Sequence, residues 1–246
     1  MTRFRLGLIQ VNHDKSVTIG DQFPDDSHRF RDMFDRLERR YSYRVYMTIG
    51  GEVPADIDEQ DGYLITGSPL SVLGDHAFLE PLYDFIRKCD AAKKPLIGTC
   101  FGHQAIAMAL GGTVESAAGG WNVGVQKTNF SQFCDWMQPA RDPHFYVFHE
   151  DQVTTLPPEC TLLGSSGDCQ ISSFHKGNHI FTTQAHPEFS DRFMRAVVED
   201  CRGLFTDDEF AAIQTTLDIA PDGALFAEWA DRFFNQRQDD REQPND

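Results

Sequence analysis

The chain has 246 residues, 22 Lys+Arg against 38 Asp+Glu for a formal net charge of −16, and 40 % hydrophobic residues. This is a soluble globular composition, long enough to bury one sizeable α/β core. The acidic balance offers no basic field to attract phosphates or an anionic bilayer, so neither nucleic acid nor a membrane surface is an expected partner.

The N-terminal segment MTRFRLGLIQVNHDKS holds an apolar run too short for a signal-peptide core, and no stretch nears the roughly 20 apolar residues of a spanning helix. A cytoplasmic location is the expectation. Cys89, Cys100, Cys134, Cys160, Cys169 and Cys201 form no C-x-x-C pair, which fits neither a disulfide framework nor a zinc site. No metal and no cofactor is expected.

In chain order, residues 4–11 (FRLGLIQV) predict a buried strand. Phe30, Met33, Phe34, Leu37 and Tyr41 then follow at the spacing of one helical face. Residues 43–49 (YRVYMTI), 62–66 (GYLIT) and 95–99 (PLIGT) predict three more strands, with a helix over 77–89 before the last. Strands alternating with helices imply a parallel sheet with right-handed crossovers. Beyond about Thr113 the texture changes to short strand-like runs at 123–130, 145–148, 169–174 and 179–183, separated by turn residues, so this half is expected to be partly antiparallel. Ser190 is a candidate N-cap for a helix carrying Phe193, Met194, Val197, Val198 and Cys201 on one face. Thr206 to Glu209 is a capping-box pattern opening another helix, and residues 226–234 predict one more. The polar tail from Gln236 is expected to fray. The fold class is therefore α/β, an open, mixed, mostly parallel central sheet flanked by helices. Residues 1–202 form its main domain, and a helical C-terminal extension, 203–246, packs on the same domain.

The segment Gly98-Thr99-Cys100-Phe101-Gly102 joins a predicted strand to a predicted helix, with glycines two before and two after the cysteine. A nucleophile elbow needs that spacing, because the nucleophile sits in a strained backbone conformation and flanking side chains would collide with neighbouring chain. The unpaired N–H groups and positive dipole end of the following helix favour a thiolate and can hold an oxyanion. The alternative is a buried cysteine beside packing glycines. A thiol nucleophile needs a base and an orienting group. Ala185-His186-Pro187-Glu188-Phe189 supplies both at the carboxyl end of a predicted strand, where ligands collect in open α/β sheets. The histidines of His175-Lys176-Gly177-Asn178-His179 flank a Gly-Asn hairpin turn rather than a helix, and Gly164 to Asp168 lacks the spacing and following helix of a pyrophosphate loop.

With GTCFGHQ at 98–104 and QAHPEF at 184–189, together with ITGSPLSV at 65–72 and FHEDQVTTLP at 148–157, the sequence resembles the class I, triad-type glutamine amidotransferase family over about residues 4–202. It is most similar to stand-alone domains like the amidotransferase part of GMP synthase. The resemblance implies a flavodoxin-like sheet and a thioester mechanism on a γ-glutamyl amide, with Cys100 as nucleophile, His186 as base and acid, and Glu188 orienting His186. It also implies an oxyanion hole at Phe101 and the Gly67-Ser68 turn, and substrate contact by Gln104. His149-Glu150-Asp151 departs from the family's more usual His-Gly-Asp, so Glu150 either contacts a substrate amino group or points to solvent; Asp151 belongs to the same candidate subsite. Trp121 either walls the pocket or only packs. The expected partner is a small molecule, glutamine or a γ-glutamyl amide. Three functions follow: a self-sufficient hydrolase releasing glutamate plus ammonia or an amine, an ammonia-supplying subunit of a separate synthase, and a non-catalytic γ-glutamyl-binding protein.

Overall fold

The computed structural model describes residues 3–242. Parallel strands β1 (Phe4–Gln10), β2 (Tyr41–Met47), β3 (Gly62–Ile65), β4 (Leu96–Thr99) and β12 (Ile180–Thr183) build one side of the main sheet. β11 (Cys169–Lys176), β10 (Thr161–Ser166) and β7 (Asn129–Phe130) continue it antiparallel, giving the order β2-β1-β3-β4-β12-β11-β10-β7 among the described residues. Two separate antiparallel pairs join β5 (Thr113–Ser116) to β9 (Asp151–Thr155), and β6 (Asn122–Lys127) to β8 (His144–His149). The expected α/β class, mostly parallel with an antiparallel second half, is the observed one. Among the described residues no helix is long and apolar enough to cross a membrane.

Period-two alternation sends each central strand's side chains into two different layers. Leu6, Leu8, Leu64, Ile97 and Phe181 enter a cluster under α1 (Asp26–Phe34) and α6 (Gly223–Glu242). Ile9, Tyr63, Ile65, Leu96 and Ile180 face α2 (Leu79–Ala92) and α3 (Phe101–Ala109). Phe226, Trp229, Ala230, Phe233 and Phe234 recur at helical spacing and place α6 in the same buried cluster as Phe4 and Phe34. Each such large apolar side chain contributes about 1.5–3 kcal/mol. A third cluster packs Val123, Val125 and Tyr146 against α4 (Asp191–Asp200) and α5 (Asp207–Thr216). Both expected caps are present: the Ser190 side chain accepts from Phe193 N, and Thr206 with Glu209 forms the capping box.

Several boundaries differ from expectation. α1 ends at Phe34, and Tyr41 opens β2 instead of continuing the helical stripe, because parallel pairing sets Tyr41 beside Phe4 and both rings fill the same core. The run 123–130 is divided, since β6 pairs with β8 while β7 crosses to β10. Residues 164–168 are the end of β10 and a hairpin turn, with Gly167 at φ +51°. α6 extends through Glu242 where fraying was expected from Gln236; residues 243–246 lie outside the described residues. β5, β9 and β10 gave no clear sequence signal, being short or half exposed.

His103 on α3 is wholly enclosed, with Nε2 donating to Ile171 O at 3.1 Å and Nδ1 at 2.8 Å from Thr182 Oγ1. A backbone carbonyl only accepts, so the proton sits on Nε2 and Nδ1 accepts the threonine hydroxyl. Burial keeps the ring neutral, its pKa pushed down to about 3. Unfolded histidine titrates near ~6.5. The neutral ring therefore contributes stability that is fully present above that value and is lost as pH falls from there towards 3. Denaturant unfolding is expected to show lower stability at pH 5 than at pH 7, and His103→Gln to shrink that difference by about 2 kcal/mol. An unchanged difference would mean the ring is not held neutral.

Candidate active site

The sharp turn from β4 into α3 holds Cys100 at φ 47°, ψ −104°, a region non-glycine residues rarely occupy. Cys100 N donates to Thr183 O at 2.8 Å, tying the elbow to β12. The flanking glycines are sterically required. A Cβ on Gly98 would lie 2.6 Å from the Gly102 carbonyl, and one on Gly102 would lie 2.4 Å from Ile65 O. Helix, strand and neighbouring strand thus meet backbone to backbone around the cysteine.

The end of β12 brings in the second component. His186 N donates to Tyr146 O at 2.8 Å, and the ring Nδ1 lies 2.9 Å from Glu188 Oε1. The Glu188 side chain is fully buried and His186 nearly so. The imidazole stacks on Phe189 at 4.0 Å between centroids, and Phe189 packs edge-on against Phe193. Burial disfavours charge on this ring, but the Cys100 sulfur and the Glu188 carboxylate on its two sides outweigh that and raise its pKa. The third component is the turn after β3. A Cβ on Gly67 would lie 2.7 Å from His186 Cε1 and 3.6 Å from Cys100 Cβ, so only glycine lets this turn approach both.

Cys100 and His186 open onto a cavity of about 510 Å3, which Gly67 and Ser68 also line. Glu188 and Phe101 stand behind that surface, Glu188 against the imidazole and Phe101 in the first turn of α3. Trp121 forms part of the wall, edge-on to Phe148 at 5.4 Å. Gln104, His149, Glu150 and Asp151 reach the same cavity. Gln104 Nε2 is committed to protein acceptors, Asp151 O at 2.8 Å and Gln184 Oε1 at 3.3 Å. The Asp151 carboxylate accepts from Ser71 and Ser116, so it braces the wall. His149 donates from Nδ1 to Asp151 O at 3.1 Å, and burial pushes its pKa down to about 4, leaving it neutral. Glu150 is half-buried at the cavity edge.

The structure adds residues the sequence reading did not single out. Gln184 stands beside the sulfur; it lies two residues before His186 at a strand end, and that spacing was the available signal. Arg29 and Phe193 line the far side of the cavity, with Arg29 stacked 3.9 Å over Phe193 and paired to Asp26 at 2.5 Å. Nothing local in sequence marks Arg29, which arrives from α1 through tertiary packing alone.

This topology, with a strained cysteine elbow beside a buried His–Glu pair, is that of an α/β protein of the amidotransferase class. The profile of the family described as "Glutamine amidotransferase class-I" matches residues 37–201, and the chain belongs to that family. Among curated proteins it is similar to "Gamma-glutamyl peptidase 3" of Arabidopsis thaliana, 31 % identical over 210 residues spanning 80 % of this chain and 84 % of that one. It also resembles a glutamine-hydrolyzing GMP synthase subunit of Methanosarcina barkeri, 34 % identical over 136 residues, 54 % of this chain and 67 % of that one. Among solved structures, the glutamine amido transferase from Methylobacillus flagellatus superposes with TM-score 0.72 at 19 % identity, covering 100 % of this chain and 98 % of that one, a likeness of fold.

The two glycine contacts separate stability from reactivity. Gly102→Ala sets a methyl against backbone and is expected to cost about 3 kcal/mol in denaturant unfolding. Gly67→Ala displaces a side chain rather than backbone, pushing the His186 ring off its contacts with Glu188 and Phe189, so the stability loss should be smaller, about 1 kcal/mol, while alkylation of Cys100, followed by mass spectrometry, slows about tenfold.

Proposed function

We propose that the chain is a hydrolase that cleaves the γ-amide of glutamine or of a γ-glutamyl compound through a Cys100 thioester. The observation that carries this is one cavity onto which the strained Cys100 and the Glu188-bound His186 both open. The relative matching the larger share of the chain of the two described is a γ-glutamyl peptidase, which supports the choice of amide.

With Nδ1 engaged by Glu188, His186 Nε2 is the nitrogen left to take the thiol proton. The thiolate attacks the γ-carbonyl carbon, and its oxygen becomes an oxyanion held by the amides of Phe101 and the Gly67-Ser68 turn. Collapse breaks the C–N bond, and the amine departs with the proton from His186. Water then gives a proton to His186 and attacks the thioester, releasing glutamate; the proton returns to the sulfur. Glu150 is the candidate partner for the substrate's α-ammonium group. A cavity of about 510 Å3 has room for a leaving group larger than ammonia beside the glutamyl moiety, so γ-glutamyl amines and peptides fit it as well as free glutamine. Cys100, His186 and Glu188 are all retained, which speaks against a purely binding role.

The second reading is an ammonia-supplying subunit, supported by the likeness to a GMP synthase subunit; its partner would be a separate synthase chain. In both readings the site of action is cytoplasmic.

Glutamate release by the purified chain from glutamine, γ-glutamyl dipeptides and γ-glutamyl alkylamides tests the proposal. Release from at least one compound is expected, abolished in Cys100→Ala and lowered a thousandfold or more, roughly, in His186→Ala, with a smaller loss in Glu188→Gln. Cys100-independent release would overturn the mechanism. No release, with Cys100 still labelled by a diazoketone analogue of glutamine, would select the subunit reading.

A further inference from the structure

Gln184 follows β12 directly, is 1 % exposed, and has no place in the mechanism above. Its Nε2 lies 3.6 Å from Cys100 Sγ, and its backbone N–H donates to Ser172 O at 2.7 Å. The side-chain amide is not free to turn over. Asp151 O can only accept, so Gln104 must present its amino group there; the same amino group faces Gln184 at 3.3 Å, which must answer with its oxygen. The remaining end of Gln184, its amino group, then faces the sulfur.

Sulfur in its two protonation states sees this site differently. As a thiol it can donate towards Phe148 O at 4.0 Å. As a thiolate it has nothing to donate and becomes a strong acceptor, which Gln184 meets. We infer that Gln184 is a positioning residue that donates a hydrogen bond to the Cys100 thiolate, and that Gln104 acts through it by locking the amide in that orientation. This rests on the reading of Cys100 as nucleophile. It gives Gln104 a task inside the protein, four residues along α3 from the cysteine it serves.

The other groups around the sulfur are the His186 imidazole after β12, the neutral His149 from β8, and the Glu150 and Asp151 carboxylates on the cavity wall, Asp151 held by Ser71 and Ser116. At the start of β11 the enclosed Cys169 lies within electrostatic reach and is kept as a thiol by burial. Of these, His186 moves the reacting proton, so the effect of Gln184 must be read against an intact His186–Glu188 pair.

The test compares Gln184→Met, which keeps bulk and removes the donor, and Gln184→Glu, which sets a carboxylate against the sulfur, with the unaltered chain. Alkylation of Cys100 by iodoacetamide at pH 7 is expected to slow about tenfold in the first and further in the second. With whichever γ-glutamyl amide the chain turns over, kcat should fall by a similar factor with KM within about twofold, and the acidic limb of the kcat/KM profile should move about one pH unit upward. A merely structural Gln184 would lower the thermal midpoint and leave that limb in place. Gln104→Met, which leaves Gln184 intact but unlocked, should act in the same direction less strongly, and it decides the matter should the Gln184 variants fail to fold. Alkylation rates and an acidic limb unchanged in Gln184→Met, or in Gln104→Met where that is the folded variant, would overturn the inference. Turnover surviving Cys100→Ala would instead sink the nucleophile reading on which it rests.

Discussion

Everything at this site depends on how closely β3, β4 and the start of α3 approach one another. Gly98 and Gly102 remove the two side chains that would hold them apart, and the resulting backbone contact forces Cys100 to φ 47°. Such a conformation costs about 1–3 kcal/mol and persists only where its surroundings over-determine it. Here they do: Thr183 O binds the Cys100 N–H, and the strands on either side are buried throughout. Strand order does the rest. β3 and β12 both flank β4, so the turn carrying Gly67 and the segment carrying His186 arrive on opposite sides of the cysteine without long loops.

The same compactness decides the electrostatics. A buried carboxylate beside an imidazole is a poor source of stability, because desolvation opposes the pairing. In the His186–Glu188 pair that cost serves orientation: the 2.9 Å contact fixes which nitrogen bears the proton, and the Phe189 ring fixes the plane. His149, equally buried, donates to the Asp151 carbonyl but has His186 beside it, so burial prevails and it stays neutral. Two histidines on one cavity thus carry opposite charge tendencies: the Cys100 sulfur and the Glu188 carboxylate outweigh burial at His186, and burial prevails at His149.

The sequence displayed the fold where local signal and tertiary requirement coincide. The parallel strands, Ser190, the Thr206 capping box and the glycine-flanked cysteine are all short-range patterns, and all appear where expected. The misreadings fall where partners distant in sequence set the outcome. Tyr41 fits a helical stripe but is drawn into β2 by pairing with Phe4, and the run 123–130 is cut in two because β6 pairs with β8 while β7 crosses to β10. Among site residues, those in compact motifs were legible. Arg29 was not, since only the folding of α1 over the cavity brings it there. Gln184 lay in plain view within QAHPEF, yet its relation to Cys100 requires the pairing of β12 with β4.

The cavity itself joins two differently built parts. Its floor, the elbow and the His–Glu pair, belongs to the central sheet, whose glycine contacts tolerate almost no change. Its far wall comes from α1, α4, the turn after α4 and the segment bearing Trp121, which pack through side chains and include exposed or half-buried positions such as Trp121, Val197, Cys201 and Leu204. Substitution there alters the space for a leaving group without touching the reacting atoms. A family can thus keep one reaction on one backbone while its members act on different amides, because the constraint that strains Cys100 stops at the floor.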